Sequence, residues 1–332
     1  MKEITALRRS ISKRSNRNKF IVLTIIVLIA AIAYMTVGVN YGNEKLILYA
    51  MKRRTPVLIV MFITAFAIGA ASIVFQSVIN NHIVTPCLLG MNSLYTLIHT
   101  SVYFVVGSAS ILVNNSNISF MLDLIIMGIV ATFIYSYLFK KTKNNVLYVL
   151  LIGTVLTSLF SSIQSTLARI MDPNEYDTLL STLVASFEHI NTEIIIFCVI
   201  MLAVVAFVLR KELRLLNVLT LGKEQAVNLG VDYDKCVRRL LLGVTLYIAA
   251  ATAMVGPISF IGLIIANLSR QLLKTYRHSQ LIMGGALFGM ILLIGGELLV
   301  EHVFNFEIPI SIFISLGGGI YFLYLLLRGR RA

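Results

Sequence analysis

Apolar runs of about twenty residues recur along the whole sequence, separated by short polar segments. An α-helix of about twenty apolar residues can cross the hydrocarbon core of a bilayer, and it satisfies its own backbone groups there. The composition agrees, because only 13% of the residues are charged, whereas soluble domains are about a quarter charged. The sequence therefore predicts an all-α, polytopic membrane protein with no room for a separate soluble domain.

Ten transmembrane helices in a single domain over residues 20–327 are predicted from these runs. The spans are placed at 20–38, 56–77, 87–107, 120–139, 146–168, 192–209, 240–257, 259–269, 281–300 and 309–327. The short span at 259–269 is expected to continue into 270–273. The first run is interpreted as an uncleaved helix rather than a signal peptide, because many more spans follow it.

The lysines and arginines indicate which segments face the cytoplasm. With the basic segment 1–19 inside, five basic residues fall outside, and the other 23 of the 28 lie in cytoplasmic segments. This distribution obeys the positive-inside rule, and it explains the formal charge of +13 without nucleic acid as a partner. Residues 1–19 and 328–332 are then cytoplasmic tails, and residues 210–239 form a cytoplasmic loop.

Within that loop, a polar stretch at 218–231 separates two long apolar runs. Its centre, Leu221 to Gly230, consists mostly of good helix formers between Gly222 and Gly230. This pattern predicts a helix too short to span a bilayer and too short to be stable alone in water. Two interpretations are open: a solvated cytoplasmic turn, or a helix held by something outside the membrane.

Two groups of polar residues inside apolar helices are candidates for lining a pathway. Gln76 and Asn80 are one helical turn apart and are expected to share a face near the end of the second span. Thr157, Ser161 and Ser165 recur every four residues and form one polar stripe. The alternative for both groups is structural, because buried amides tie helices together and small hydroxyl residues allow close helix packing. Gly285 and Gly289 are predicted to serve packing alone.

Four segments of this sequence resemble one family of membrane proteins. They are Leu221 to Gly230, Phe75 to Gly90, Gly256 to Ile265 and Gly317 to Phe322. Together they are similar to the permease subunits of iron-siderophore and vitamin B12 ABC importers (FecCD/BtuC-like), most of all to the branch handling catecholate-type siderophores such as petrobactin or anguibactin. The resemblance covers most of residues 50–327. It departs at Ala266-Asn267, where many members carry Pro-His.

The resemblance implies a fold, a function and a set of partners. The chain would be a BtuC-like permease in the cell membrane of a bacterium, importing ferric siderophores with a second homologous permease or a second copy of itself. An extracytoplasmic substrate-binding lipoprotein would deliver the cargo. ATP-binding subunits would work from inside, since the sequence contains no GxxxxGK[ST] phosphate loop. The chain itself would be no enzyme and would bind no cofactor.

The resemblance also implies roles for individual residues. The segment that docks into the ATP-binding subunit would comprise Gly222, Lys223, Glu224, Gln225, Ala226, Asn228, Leu229 and Gly230. The outer basic residues Lys52, Arg53 and Arg54 would meet acidic residues of the binding protein, although a simple interfacial anchor is the alternative. Glu301 stands where other members carry a second outer arginine.

A rival function is an ion-coupled secondary transporter that uses Glu297 or Asp123, because an intramembrane carboxylate is a functional candidate by default. It predicts transport by the chain alone, abolished when the ion gradient is dissipated. A metal site is not predicted, since the five histidines show no ligand spacing. The three cysteines form no CxxC pair, so neither a disulfide framework nor a zinc site is indicated.

Overall fold

The computed structural model describes residues 2–39, 42–107, 110–142, 146–187 and 192–329, and within these ranges it contains helices and no β-strand. The helices are α1 (Lys2–Thr36), α2 (Glu44–Ile79), α3 (Met91–Val106), α4 (Ile111–Asn114), α5 (Ser116–Lys141), α6 (Val146–Ile170), α7 (Pro173–Leu183), α8 (Thr192–Val208), α9 (Arg210–Leu219), α10 (Lys223–Asn228), α11 (Tyr233–Val255), α12 (Ile261–Leu273), α13 (His278–His302) and α14 (Ile310–Gly329). A 3-10 turn, Pro86–Leu89, precedes α3.

Every predicted span coincides with a helix, so the all-helical membrane architecture is confirmed. Helices α1, α2, α5, α6, α11 and α13 are each long and apolar enough to cross a membrane. The pair α8 and α9 meets the same criterion together, but the chain bends by 58° between them. The remaining predicted spans correspond to the shorter helices α3, α12 and α14.

Helices α1 and α2 extend furthest beyond their predicted spans. Residues 2–19, predicted as a tail, are helical and continuous with the first span, and α2 begins at Glu44 rather than near residue 56. Lysine and arginine are good helix formers, so the basic segment 2–19 prolongs α1 beyond its apolar part. In α2 the added residues include the apolar run 46–51 as well as the basic residues 52–54.

Helix α2 forms the centre of the bundle. In its most apolar stretch 78% of the residues are buried, and α11, α12 and α13 pack around it. Small residues allow these helices to approach closely: a Cβ added at Gly289 would lie 2.7 Å from the Cβ of Ala65, and one added at Gly285 would lie 3.1 Å from Cγ2 of Ile265. The predicted packing role of Gly285 and Gly289 is therefore confirmed.

Helices α1 and α6 lie at the periphery, and only 17% of the most apolar stretch of each is buried. The apolar residues on their open faces, such as Ile29 on α1 and Leu151 on α6, are more than half exposed. In a bilayer such faces contact lipid or another membrane helix. The outward faces of α1 and α6 are thus not part of the packed core of this chain.

Candidate functional site

The short helix bounded by glycines is present as α10. Gly222 precedes its first residue with φ +102° and ψ 162°, and Gly230 follows its end with φ +80°. Ala226 is fully buried against the rest of the chain, whereas Val227 and Leu229 are more than half exposed. The segment therefore rests on one small side chain and presents apolar side chains outward, away from the single chain.

Two ion pairs brace α10 and its neighbours. Nζ of Lys223 lies 3.0 and 2.9 Å from the two carboxylate oxygens of Asp234 at the start of α11. Nη1 of Arg239 donates to Oε1 of Glu212 on α9 at 2.7 Å. Burial of Glu212 raises the pKa of its carboxyl, but the hydrogen bond and charge of Arg239 outweigh this, and the pKa lies below its usual value. Glu212 is thus held as a carboxylate that ties α9 to α11.

A third contact joins this segment to the membrane helices. Oδ1 of Asn217 on α9 lies 2.5 Å from Nδ1 of His278, the first residue of α13. Because α13 packs along the central helix α2, this contact connects α9 to a helix of the bundle core. Sequence reasoning identified α10 but missed Asn217, His278 and the two braces, since none of these side chains belongs to a motif.

The predicted shared face of Gln76 and Asn80 is wrong. Asn80 ends α2 in the left-handed conformation, with φ +53°, and its side chain is exposed. Asparagine tolerates this conformation better than most residues, which explains why the helix stops there. Gln76 is fully buried and donates from Nε2 to the carbonyl oxygen of His82 at 2.8 Å. Nδ2 of Asn267 on α12 donates to the same oxygen at 3.0 Å. Asn267 belongs to the Ala266-Asn267 departure from the family pattern, and here it holds the loop around His82 to α12.

The polar stripe of α6 divides into a packed and an open part. Thr157 is half-buried. The Oγ1 atom of Thr157 would lie 2.8 Å from a Cβ added at Gly90, so α6 packs tightly against the residue before α3. Ser161 and Ser165 are exposed on the peripheral face of α6, although Oγ of Ser161 lies 3.3 Å from Oγ of Ser93. Most of the stripe is thus available to a partner or a pathway outside the single chain.

The outer basic residues separate into two groups. Arg54 pairs with Glu301 and donates from Nη1 to the carbonyl oxygens of Tyr34 and Val37, both at 2.6 Å. These carbonyls belong to the end of α1, where no backbone donors remain in the helix, so Arg54 caps that end. Lys52 and Arg53 are exposed. The structure therefore places only two of the predicted docking residues on the free outer surface.

The carboxylates of the rival hypothesis occupy different surroundings. Asp123 on α5 is buried, with Oδ2 2.6 Å from Nδ1 of His99, whose Nε2 lies 3.0 Å from Oγ1 of Thr182 on α7. Glu297 is buried beside the Arg54–Glu301 pair, at a cavity of about 160 Å³. Among the described residues, no group of three or more histidines, cysteines or carboxylates is arranged to hold a metal ion.

A model of the FecCD transport family matches residues 21–328, which is nearly the whole chain. The chain belongs to the FecCD transport family. The resemblance seen in its sequence segments is thereby confirmed, and the protein is a membrane-embedded permease.

Two relatives of this FecCD permease illustrate the siderophore branch. The petrobactin import system permease protein YclO of Bacillus subtilis is 38% identical over 311 residues, covering 92% of this chain and 98% of the relative. The petrobactin import system permease protein FatC of Bacillus anthracis is 31% identical over 325 residues, covering 96% and 91%.

The fold of the FecCD permease also matches a solved structure, an inward-facing conformation of a metal-chelate type ABC transporter. The TM-score is 0.77 at 24% identity, and the match covers 94% of this chain and 99% of the other. The predicted BtuC-like permease architecture is therefore confirmed for the chain as a whole.

Proposed function

We propose that this FecCD permease is the membrane subunit of an ATP-driven importer of ferric siderophores, with petrobactin as the first substrate to test. The observation that carries the ATP-driven part is α10 with its braces, a short helix outside the apolar spans whose exposed Val227 and Leu229 face away from the chain. A helix of this length is stabilised by packing rather than by its own propensity, and its exposed apolar side chains are available to a partner. The substrate class follows from the relatives that are petrobactin import permeases.

This function requires several partners. ATP-binding subunits would bind α10, because hydrolysis needs a phosphate-binding loop that this sequence lacks. A second homologous permease, or a second copy, would pack on the open face of α6 and enclose the pathway with Ser161 and Ser165. A substrate-binding lipoprotein would bind at Lys52 and Arg53. No cofactor is assigned to this chain, which would lie in the plasma membrane of a bacterium.

Reconstituted transport tests this function against the secondary transporter. The purified importer in proteoliposomes is expected to accumulate ferric petrobactin only when ATP is supplied to its ATP-binding subunits, and a protonophore should leave the uptake unchanged. The Asp123–His99 pair and Glu297 would then serve structure rather than ion coupling. Uptake by this chain alone without ATP, abolished by the protonophore, would establish the rival function instead.

The outer surface provides a second test. The double variant Lys52→Glu/Arg53→Glu is expected to weaken binding of the substrate-binding protein about tenfold, because two exposed ion pairs contribute up to about 1 kcal/mol each. Binding to the nanodisc-embedded importer can be measured by surface plasmon resonance.

Arg54→Gln should instead lower thermal stability by about 1–3 kcal/mol, since it leaves Glu301 and two carbonyls without their donor.

The matched control for Lys52→Glu/Arg53→Glu in the binding measurement is Lys45→Glu/Arg169→Glu, which makes the same change in charge at two other exposed outer positions. The control is expected to bind like the unmodified importer. If both double variants weaken binding equally, the surface acts through its overall charge, and Lys52 and Arg53 have no specific docking role.

A further inference from the structure

A long apolar groove runs between α5, α8 and α11. Its volume is about 1000 Å³. Its floor on α5 is formed by Gly128, Thr132 and Ser136, which follow one another at intervals of four residues and therefore lie on one helical face. A Cβ added at Gly128 would lie 3.2 Å from Cδ2 of Leu246, so α5 and α11 approach closely beneath the groove. The concavity thus arises because this face of α5 carries small side chains.

Large apolar side chains form the two walls. On α5 the wall consists of Ile125, Ile129, Phe133 and Tyr137, all at least half exposed. On α8 the facing wall consists of Phe197, Ile200, Met201, Val204 and Val205. Both walls belong to membrane-spanning elements, so the groove opens toward the hydrocarbon region. It lies on different helices from α6, the face assigned above to a second permease.

Two cations stand at one end of this otherwise apolar groove. Lys140 lies in the last turn of α5 and Arg238 lies near the start of α11, and both side chains line the groove and are exposed. The distribution of basic residues along the sequence places this end at the cytoplasmic surface. From Lys140 to Leu124 at the other end, α5 rises by about 24 Å, most of the roughly 30 Å thickness of the hydrocarbon core.

We propose that this groove binds an anionic phospholipid, with an acyl chain along the trough and the phosphate at Lys140 and Arg238. Two cations at the mouth match a negatively charged headgroup, and basic pockets between membrane helices bind such headgroups. The apolar length between the walls matches an acyl chain rather than a soluble ligand. The inference goes beyond siderophore import and does not depend on it.

Retention of lipid by the purified importer tests the headgroup contact. Native mass spectrometry would follow the release of phosphatidylglycerol and phosphatidylcholine from the complex after reconstitution in mixed nanodiscs of these two lipids. Lys140→Gln/Arg238→Gln is expected to weaken phosphatidylglycerol binding on the order of 30-fold, from the loss of two interfacial cations. The control Lys141→Gln/Lys235→Gln removes the same charge from exposed neighbours that do not line the groove, and it should retain the lipid.

Either of two results would overturn the headgroup assignment. Equal retention of phosphatidylglycerol by both double variants would show that Lys140 and Arg238 do not hold the headgroup. Equal retention of phosphatidylcholine and phosphatidylglycerol by the unmodified importer would show an apolar coating without headgroup recognition. Both readouts count bound lipid, so they stay informative even if the substrate proves not to be a siderophore.

A filled groove tests the acyl-chain contact separately. Ser136→Phe occupies the floor while both cations remain, so phosphatidylglycerol retention is expected to fall although the charge is unchanged. Undiminished retention in Ser136→Phe would refute the acyl-chain position. A photo-reactive phenylalanine analogue at Tyr137 identifies the occupant in native membranes: a lipid adduct supports the proposal, and an adduct with a membrane protein overturns it.

Discussion

Gly222→Val is expected to reduce siderophore uptake at least tenfold while the partner ATPase continues to hydrolyse ATP. With φ +102° and ψ 162°, Gly222 occupies a region that is essentially restricted to glycine, and a side chain there costs about 1–3 kcal/mol of backbone strain. No atom lies within 4 Å of a Cβ added at Gly222, so a steric clash does not contribute within the chain. The strain would be relieved by reorienting α10, which would misplace Val227 and Leu229 against the ATPase. Uptake and hydrolysis should be measured on the same proteoliposomes.

Gly230 supplies the matched control for this experiment. Its φ of +80° lies close to the left-handed region that asparagine tolerates, and space around it is also open. Gly230→Asn should therefore transport nearly as well as the unmodified importer, and Gly230→Val should be impaired. If Gly222→Val transports normally with normal ATP consumption, α10 does not couple the two activities.

Gly289→Val is expected to prevent stable assembly of the bundle. A Cβ added there would lie 2.7 Å from the Cβ of Ala65, 2.8 Å from Cδ1 of Ile265 and 3.1 Å from the backbone of Ala65. Since backbone atoms of α2 cannot move aside alone, α13 would be forced away from the central helix. Overpacking typically costs about 1–3 kcal/mol and sometimes more, which is a large part of a protein's net stability. The yield and thermal inactivation of detergent-solubilised protein measure this effect.

Gly295→Val on the same helix separates packing from helix propensity. No atom lies within 4 Å of a Cβ added at Gly295, yet the substitution places the same β-branched residue in α13. Equal stability of Gly289→Val and Gly295→Val would contradict the close-packing role of Gly289.

The helical architecture could be predicted from sequence because the length of an apolar run is a local property. The same holds for α10, whose flanking glycines and short helix-forming core are visible in ten consecutive residues. The starts of α1 and α2 are not predictable in this way, because hydropathy locates an apolar span and does not report whether the residues before it continue the helix. Asn80 shows a related failure: helical spacing cannot reveal that the helix ends one residue before the second member of a pair.

Contacts between residues far apart in the chain account for the other features that the sequence does not predict. The Arg54–Glu301 pair joins residues separated by 247 positions, and the Asn217–His278 bond joins residues separated by 61. Neither contact leaves a pattern in one sequence, because the fold alone brings these side chains together. For that reason the sequence groups Arg54 with its neighbours Lys52 and Arg53, although the side chain of Arg54 caps α1.

The side-chain braces around α10 have a mechanical consequence. Glu212–Arg239 joins α9 to α11, and Lys223–Asp234 joins α10 to α11, so both shorter helices are tied to the start of the same membrane helix. The Asn217–His278 contact links α9 in addition to the first turn of α13. A partner that binds α10 would therefore have side-chain connections to α11 through Lys223–Asp234, and from α11 to α9 through Glu212–Arg239. The chain bends by 58° between α8 and α9, so the helix that contacts α13 leaves the direction of the membrane helix that precedes it.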